Sequence, residues 1–178
     1  MSTLKWFIAL VLAFGVAGVN AQDKKGGLSK EDTLHLKHLS EANRAEVEAG
    51  KVAAQKAANP EVKKYAEKMV AEHTKMLEEG DQLAQKKGVK PDQNVDGKHK
   101  KNLADLNRKS GADFDREYME QMVQDHEGAL KLVQNVAKDA KDADIKALAQ
   151  KAEPHVKQHL EEARKLRTAV NKSGEKKK

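Results

Sequence analysis

A histidine interrupts an otherwise apolar helical stripe in the segment from Asp113 to Ala137. At the spacing of an α-helix, His126 shares one face with apolar and aromatic residues, namely Phe114, Tyr118, Met122, Ala129, Val133 and Val136. A buried polar ring costs free energy unless its nitrogens find partners. The segment is therefore predicted to be a helix whose inner face meets other polar groups.

The same interruption recurs elsewhere in the chain. His73 breaks the apolar stripe of a second segment, and His159 breaks that of a third. A fourth segment has the carboxylate of Glu46 at the equivalent place on its stripe, between Leu39 and Val52. Four helices are thus predicted, each with one inward polar residue.

Composition supports an all-α protein with a single core. Only 3% of the 178 residues are aromatic and 35% are charged, and the common residues are good helix formers. The net charge of +6 comes from interleaved signs along the helices, and a basic run occurs only at the C-terminal end. Neither pattern is typical of a nucleic-acid or membrane surface, so no nucleic-acid partner is expected.

The N-terminus has the features of a secretory signal peptide over residues 1–21. Lys5 precedes an apolar run from Trp6 to Val19, which ends in the small-residue site Val19-Asn20-Ala21. About 14 apolar residues are too few to span a bilayer, so no transmembrane span is expected after cleavage. The sequence contains no cysteine and hence no disulfide. A periplasmic or secreted protein is predicted.

Proline, glycine and capping residues divide the rest of the chain. After a linker over residues 22–28, Ser29 is the predicted N-cap of the first helix. Within a bundle domain over residues 29–170, long helices are predicted at 29–57, 60–87, 112–137 and 143–170. The long connection between the second and third holds a short helix near 98–109. Pro154 should bend the last helix or begin a new one, and a basic disordered tail is predicted over 171–178.

The spacing of the four polar residues predicts that they meet. Glu46 and His73 lie at similar distances from the turn at Asn59-Pro60, and His126 and His159 lie at similar distances from the next turn. In a bundle with an up-down-up-down arrangement, all four would share one interior layer.

Three interpretations of such a layer remain open. A lone buried histidine is usually a hydrogen-bonded core residue, and a purely hydrogen-bonded layer is one interpretation. A second is a single transition-metal ion, such as zinc, copper, nickel or iron, bound by Glu46, His73, His126 and His159. A catalytic acid–base site is the third, although no nucleophile arrangement accompanies it.

Four motifs resemble a known family. They are the segment ANRAEVEAGKVA from Ala42, MVAEH ending at His73, FDREY from Phe114 with the later Asp125-His126 pair, and His159-Leu160. Together they resemble the ferritin-like family catalogued as domain of unknown function 4142, whose members are often labelled outer-membrane or exported proteins. The resemblance covers about residues 29–168. It implies a ferritin-like antiparallel four-helix bundle and no established activity.

A di-iron centre does not fit this pattern. Carboxylate-bridged di-iron bundles use a Glu-x-x-His motif, but Val70, Val123 and Val156 occupy the position three residues before each inward histidine. A mononuclear site is therefore expected rather than a ferroxidase centre.

Several other polar residues receive simpler interpretations. His35, His38 and His99 are expected in solvent, and His155 is a weaker candidate ligand one turn before His159. Glu72 and Asp125 are candidate acceptors for an imidazole N–H, and Asp115 should tie the start of its helix to a neighbour.

Two functions follow from these interpretations. The first is an exported helical-bundle protein that binds a metal ion in its polar layer. The alternative is a non-catalytic envelope stress or structural protein whose polar layer only supports the fold.

Overall fold

The computed structural model describes residues 27–91 and 93–175, and most of these residues are helical. Within these ranges there are five α-helices and no strand: α1 Lys30–Lys56, α2 Pro60–Lys86, α3 Gly97–Asn107, α4 Gly111–Asp139 and α5 Ala143–Glu175. The all-α class is confirmed, and the helix bounds agree with the predicted ones to within about two residues except at the end of α5. No helix in these ranges combines the length and the apolar character needed to cross a bilayer.

The end of α5 corrects the predicted tail. The helix runs without interruption through Pro154 and on to Glu175, so the first five residues of the segment predicted as disordered are helical. Val170 is buried in the core, and the hydroxyl of Ser173 donates to the carbonyl of Ala169 at 3.0 Å, so packing and a local hydrogen bond both extend the helix. The predicted signal peptide, residues 22–26 of the linker and residues 176–178 lie outside the described residues.

Capping side chains define the starts of the first two helices, and the predicted N-cap Ser29 is confirmed. The side chain of Ser29 accepts from the backbone N–H of Asp32 at 3.0 Å, and that of Asn59 accepts from the N–H of Glu61 at 2.8 Å. Gly88, with a φ of 73°, follows α2 in a conformation that favours glycine. The α1–α2 hairpin is therefore set largely by local sequence.

The direction of α4 differs from the expected alternation. Its first turn lies beside the α1–α2 turn, where the backbone N–H groups of Ala58 and Asn59 donate to the carboxylate of Asp115 at 3.0 and 2.8 Å. After its far end, the backbone N–H of Lys141 donates to Asp32 in the first turn of α1 at 3.0 Å. Helix α4 therefore runs parallel to α2, and the bundle is up-down-down-up.

The long connection explains this arrangement. A 27-residue helix is about 40 Å long, and the chain between α2 and α4 is long enough to cross that distance because much of it is extended around the short helix α3. Leu106 of α3 is fully buried and Val95 is 5% exposed, so the crossing segment packs onto the bundle. One long crossover is the ferritin-like connectivity.

Two apolar clusters fill the bundle, one toward each end. The first surrounds Phe114 and Tyr118 near the α1–α2 turn. The second surrounds Leu36 and Ile145 at the opposite end. Between them lie the buried polar residues of the predicted layer.

Candidate metal centre

Three histidines from three helices meet between the two apolar clusters. His73 of α2, His126 of α4 and His159 of α5 are 2%, 0% and 0% exposed. One ring nitrogen of each lies within 4.8 Å of one from each of the others. The nearest recorded pair is Nε2 of His73 and Nε2 of His126, which are 3.4 Å apart. The spacing thus correctly predicts that these three residues come together.

Hydrogen bonds fix the orientation of two of the rings. The amide nitrogen of Asn43 donates to the carbonyl of Leu39 at 2.8 Å, so its oxygen faces Nδ1 of His73, also at 2.8 Å. Nδ1 of His126 lies 2.9 Å from the carbonyl oxygen of Met122. Since both oxygens can only accept, both Nδ1 atoms carry the hydrogen. The two Nε2 lone pairs therefore face each other.

The third ring, that of His159, is held through its Nε2 rather than through its Nδ1. Nε2 of His159 donates to the carboxylate of Glu72 at 2.6 Å, across the α2–α5 interface. Its Nδ1 is buried and has no hydrogen-bond partner among the residues that the structure describes. Each of the three imidazoles thus has one nitrogen bound to an oxygen and a lone pair on the other. This is the usual arrangement of histidines that bind metals.

Burial keeps the three rings neutral. Desolvation, followed by the neighbouring His126 and His159, lowers the pKa of His73 well below its ordinary value. Desolvation, followed by His159, lowers the pKa of His126 to about 4. The pKa of His159 is also lowered, chiefly by burial, although its bond to Glu72 opposes the shift. The lone pairs are consequently free of protons near pH 7.

Glu46 lies at the edge of this group. It is 5% exposed, and its Oε1 is 3.6 Å from Nδ1 of His126, which is the nitrogen turned away from His73. Its Oε2 has no hydrogen-bond partner in the described part of the chain. Burial, followed by the charge of Asp125, raises its pKa well above the ordinary value. Its role as a ligand stays a prediction.

The remaining candidates lie outside the three-histidine group. His155 is exposed, with its Nδ1 3.9 Å from the carboxylate of Glu72. His99 of α3 is half-buried rather than fully in solvent, and it pairs with Asp96 at 2.8 Å. Glu72 is an imidazole acceptor as expected, but it serves His159 rather than its neighbour in sequence.

Asn43 is a site residue that the sequence analysis missed. It lies three residues before Glu46 and so shares its helix face, which is a signal that could have identified it. The carbonyl of Met122 could not have been identified in this way, because every helical residue has a carbonyl one turn earlier.

The separation of the two Nε2 atoms suits a bound ion. An ion with tetrahedral coordination and metal–nitrogen distances of about 2.0–2.1 Å holds two nitrogens roughly 3.4 Å apart. The observed separation of 3.4 Å matches that value. The donor set, three neutral imidazoles with a carboxylate nearby, is compatible with copper, zinc or iron.

Sequence comparison places a family model over most of the chain. The model, described as domain of unknown function (DUF4142), matches residues 17–166. No curated protein sequence matches the chain.

Solved structures share the fold at low sequence identity. A DUF305 fragment from Deinococcus radiodurans is 12% identical, with a TM-score of 0.70 over 83% of this chain and 99% of that one. CopM in its Ag-bound form is 18% identical, with a TM-score of 0.63 over 75% and 93%. Its Cu(II)-bound form is 17% identical, with a TM-score of 0.62 over 78% and 96%. A dodecameric thioferritin from Bacteroides fragilis is 16% identical, with a TM-score of 0.55 over 83% and 98%.

Proposed function

The chain belongs to the DUF4142 family, and from that premise we propose that it is an exported helical-bundle protein that binds one transition-metal ion. His73, His126 and His159 are the proposed ligands, and Glu46 is the fourth member of the set. Export rests on the signal-peptide pattern of residues 1–21.

The facing lone pairs of His73 and His126 are the observation that supports this proposal most. Two acceptor nitrogens 3.4 Å apart in a dry core repel each other unless a proton or a cation lies between them. A buried nitrogen without a partner costs on the order of 1–3 kcal/mol. A shared metal ion would satisfy all three imidazoles at once.

Copper fits this donor set best. For nitrogen ligands, affinity rises along the first-row divalent metals to copper and falls again at zinc. CopM, which shares the fold, has been crystallised in Cu(II)-bound and Ag-bound forms. Zinc is the next candidate, and iron is weaker because the set is dominated by imidazole. Beside a bound cation Glu46 would lose its proton despite the raised pKa of the metal-free site, and its carboxylate would offset part of the cost of burying the cation.

Metal content tests the proposal directly. Protein purified without a histidine tag should bind about one equivalent of Cu(II), measured by equilibrium titration and elemental analysis. His73→Ala, His126→Ala and His159→Ala should each lower the affinity at least tenfold. His35→Ala removes an imidazole from outside the layer and is the matched control. Failure of the wild type to bind copper, zinc or iron would leave the structural layer as the function of these residues.

A further inference from the structure

An ion cannot reach the three histidines directly from solvent, because their side chains are almost completely buried. Two surface grooves approach the layer. The α5 groove, between α1, α2 and α5, has a volume of about 270 Å³. The α4 groove, between α1, α4 and the segment around α3, has a volume of about 250 Å³.

The α5 groove ends on residues that hold the site. Its inner wall includes Asn43, which binds His73, and Glu72, which binds His159. Behind this wall is a cavity of about 30 Å³ that His73 and Glu46 line, and such a volume holds one water-sized guest. Groove and cavity have four lining residues in common: Leu39, Asn43, Met76 and Ala152. A small movement of these side chains would join the two spaces.

Potential metal ligands follow this path. His155 is exposed at the groove, and its Nδ1 is 3.9 Å from Oε2 of Glu72. The same oxygen lies 2.6 Å from Nε2 of the buried His159. One carboxylate therefore connects a solvent-exposed imidazole to a buried one. Met76, whose thioether is a soft ligand that suits Cu(I), lines both the groove and the cavity.

The α4 groove is less suited to a cation. It also borders the small cavity, because four residues line both spaces: Ala42, Glu46, Ala129 and Leu132. Its other inner carboxylate, Asp125, already pairs with the ammonium of Lys98 at 3.1 Å. Its half-buried imidazole, His99, is bound to Asp96 at 2.8 Å. In the α5 groove, Lys151 likewise pairs with a carboxylate, that of Glu79, at 2.7 Å. The difference is Glu72, whose carboxylate lies beside two imidazoles.

We propose that copper reaches the three-histidine site through the α5 groove by binding first to an outer site formed by His155 and Glu72 beside Met76. This inference rests on the proposed function, since it assigns a loading path to the same centre. An outer site on the path changes the rates of binding and release by equal factors, so the equilibrium affinity stays the same.

Stopped-flow kinetics with Cu(II) test the path. Tyr65 and Tyr118 lie next to the layer, so quenching of their fluorescence reports loading. His155→Ala should slow loading at least fivefold, and should slow release to a chelator by the same factor, with unchanged stoichiometry and Kd. Met76→Leu keeps the volume and removes the sulfur, and with Cu(I) loaded under a reductant a slowing of at least twofold is expected. His99→Ala in the α4 groove is the matched control and should load at the wild-type rate.

The outcomes separate the two proposals. A wild type that binds no copper removes the metal function itself. A wild type that binds one equivalent, with His155→Ala loading within twofold of its rate, overturns the path alone. Slow loading by His99→Ala instead of His155→Ala would place the path in the α4 groove. A weaker equilibrium affinity in His155→Ala would make His155 part of the final site and would also overturn the proposal.

Discussion

At the scale of single residues, hydrogen bonding decides what the layer can do. His126 donates to the carbonyl of Met122 in the preceding turn of its own helix, which fixes its tautomer without help from another side chain. His73 and His159 depend instead on Asn43 and Glu72 from other helices. Helical periodicity predicted which rings point inward. It could not predict which ring each partner serves, because that depends on how neighbouring helices are placed: Glu72, an expected acceptor, binds His159 rather than the adjacent His73.

Replacing His126 should separate a metal site from a purely structural layer. His126→Ala should lower the melting temperature mainly in metal-loaded protein, because an ion stabilises the folded state by about 4 kcal/mol at a free concentration of 1,000 times Kd. In chelator-treated protein, His126→Leu should be neutral or stabilising, since leucine fills the space and removes the facing lone pairs. Thermal unfolding with Cu(II) and with chelator measures both effects. Identical melting temperatures in the two conditions, for wild type and variants, would contradict the metal hypothesis.

The metal-free protein should lose stability in mild acid. Burial lowers the pKa of His126 to about 4 from the ordinary value of 6.5, so between these values the unfolded chain binds the proton and the folded chain does not. The contribution of neutral His126 to the free energy of unfolding is fully present above about pH 6.5. It decreases by on the order of 3 kcal/mol as the pH drops to 4. Urea unfolding of chelator-treated protein at pH 7, 5.5 and 4.5 measures this loss.

The effect of His126 on the pH dependence of stability is best measured in a variant in which residue 46 cannot titrate. The pKa of that carboxyl is raised by burial, so protonation of Glu46 in the folded protein opposes the histidine effect as the pH falls. In a Glu46→Gln background, His126→Leu should reduce the slope of stability against pH. An unchanged slope would show that His126 is not neutral and buried.

At the scale of helices, two carboxylates tie the hairpins together. Asp115 of α4 accepts from two N–H groups of the α1–α2 turn, and Asp32 of α1 accepts from the N–H of Lys141 in the α4–α5 turn. Each hairpin thus contributes an acceptor to the turn of the other. The expectation that Asp115 joins α4 to a neighbour is confirmed.

Loss of Asp115 should weaken the fold. Asp115→Ala leaves two partly buried N–H groups unpaired, and we expect a loss of about 2–3 kcal/mol in the free energy of unfolding. Asp113→Ala is the matched control, because Asp113 lies two residues earlier on the exposed surface and pairs only with the neighbouring Arg116 among its described contacts. Denaturant unfolding of the two variants measures the difference. Equal stability would mean that the turn does not depend on Asp115.

Helix bounds and the polar layer were predictable, whereas the direction of α4 was not. Pro60, Gly88 and the capping residues mark the ends of the first hairpin in the sequence itself. His73 and His126, however, lie near the middle of their helices, so they reach the same height whether α4 runs parallel or antiparallel to α2. Helix spacing therefore predicted correctly that the three histidines meet, although the predicted direction of α4 was wrong.

At the scale of the whole molecule, the polar layer divides the core into two apolar clusters. Each long helix contributes inward side chains to both clusters, so the layer lies between the packed cores of the two ends. The three histidines there come from three of the four long helices, and Glu46 comes from the fourth. Metal binding should thus stabilise both ends together.

The export prediction also belongs to the whole molecule. If residues 1–21 are a cleaved signal peptide, the mature protein begins at Gln22. Intact-mass measurement of protein recovered from the native host should give the corresponding mass. A mass that includes residues 1–21 would reverse the predicted localisation.

The reciprocal ties between the hairpins have a consequence for affinity. The two turns have almost the same backbone, with φ and ψ of −58° and 129° at Ala57 and −58° and 132° at Ala140. The α1–α2 hairpin supplies Glu46 and His73, while the α4–α5 hairpin supplies the other two histidines. Ion binding and hairpin docking are therefore thermodynamically linked, and each strengthens the other by the same factor. Asp115→Ala, although remote from the site, should therefore lower the affinity for the ion. The bound ion should in turn strengthen hairpin docking, and these two effects should be equal in free energy.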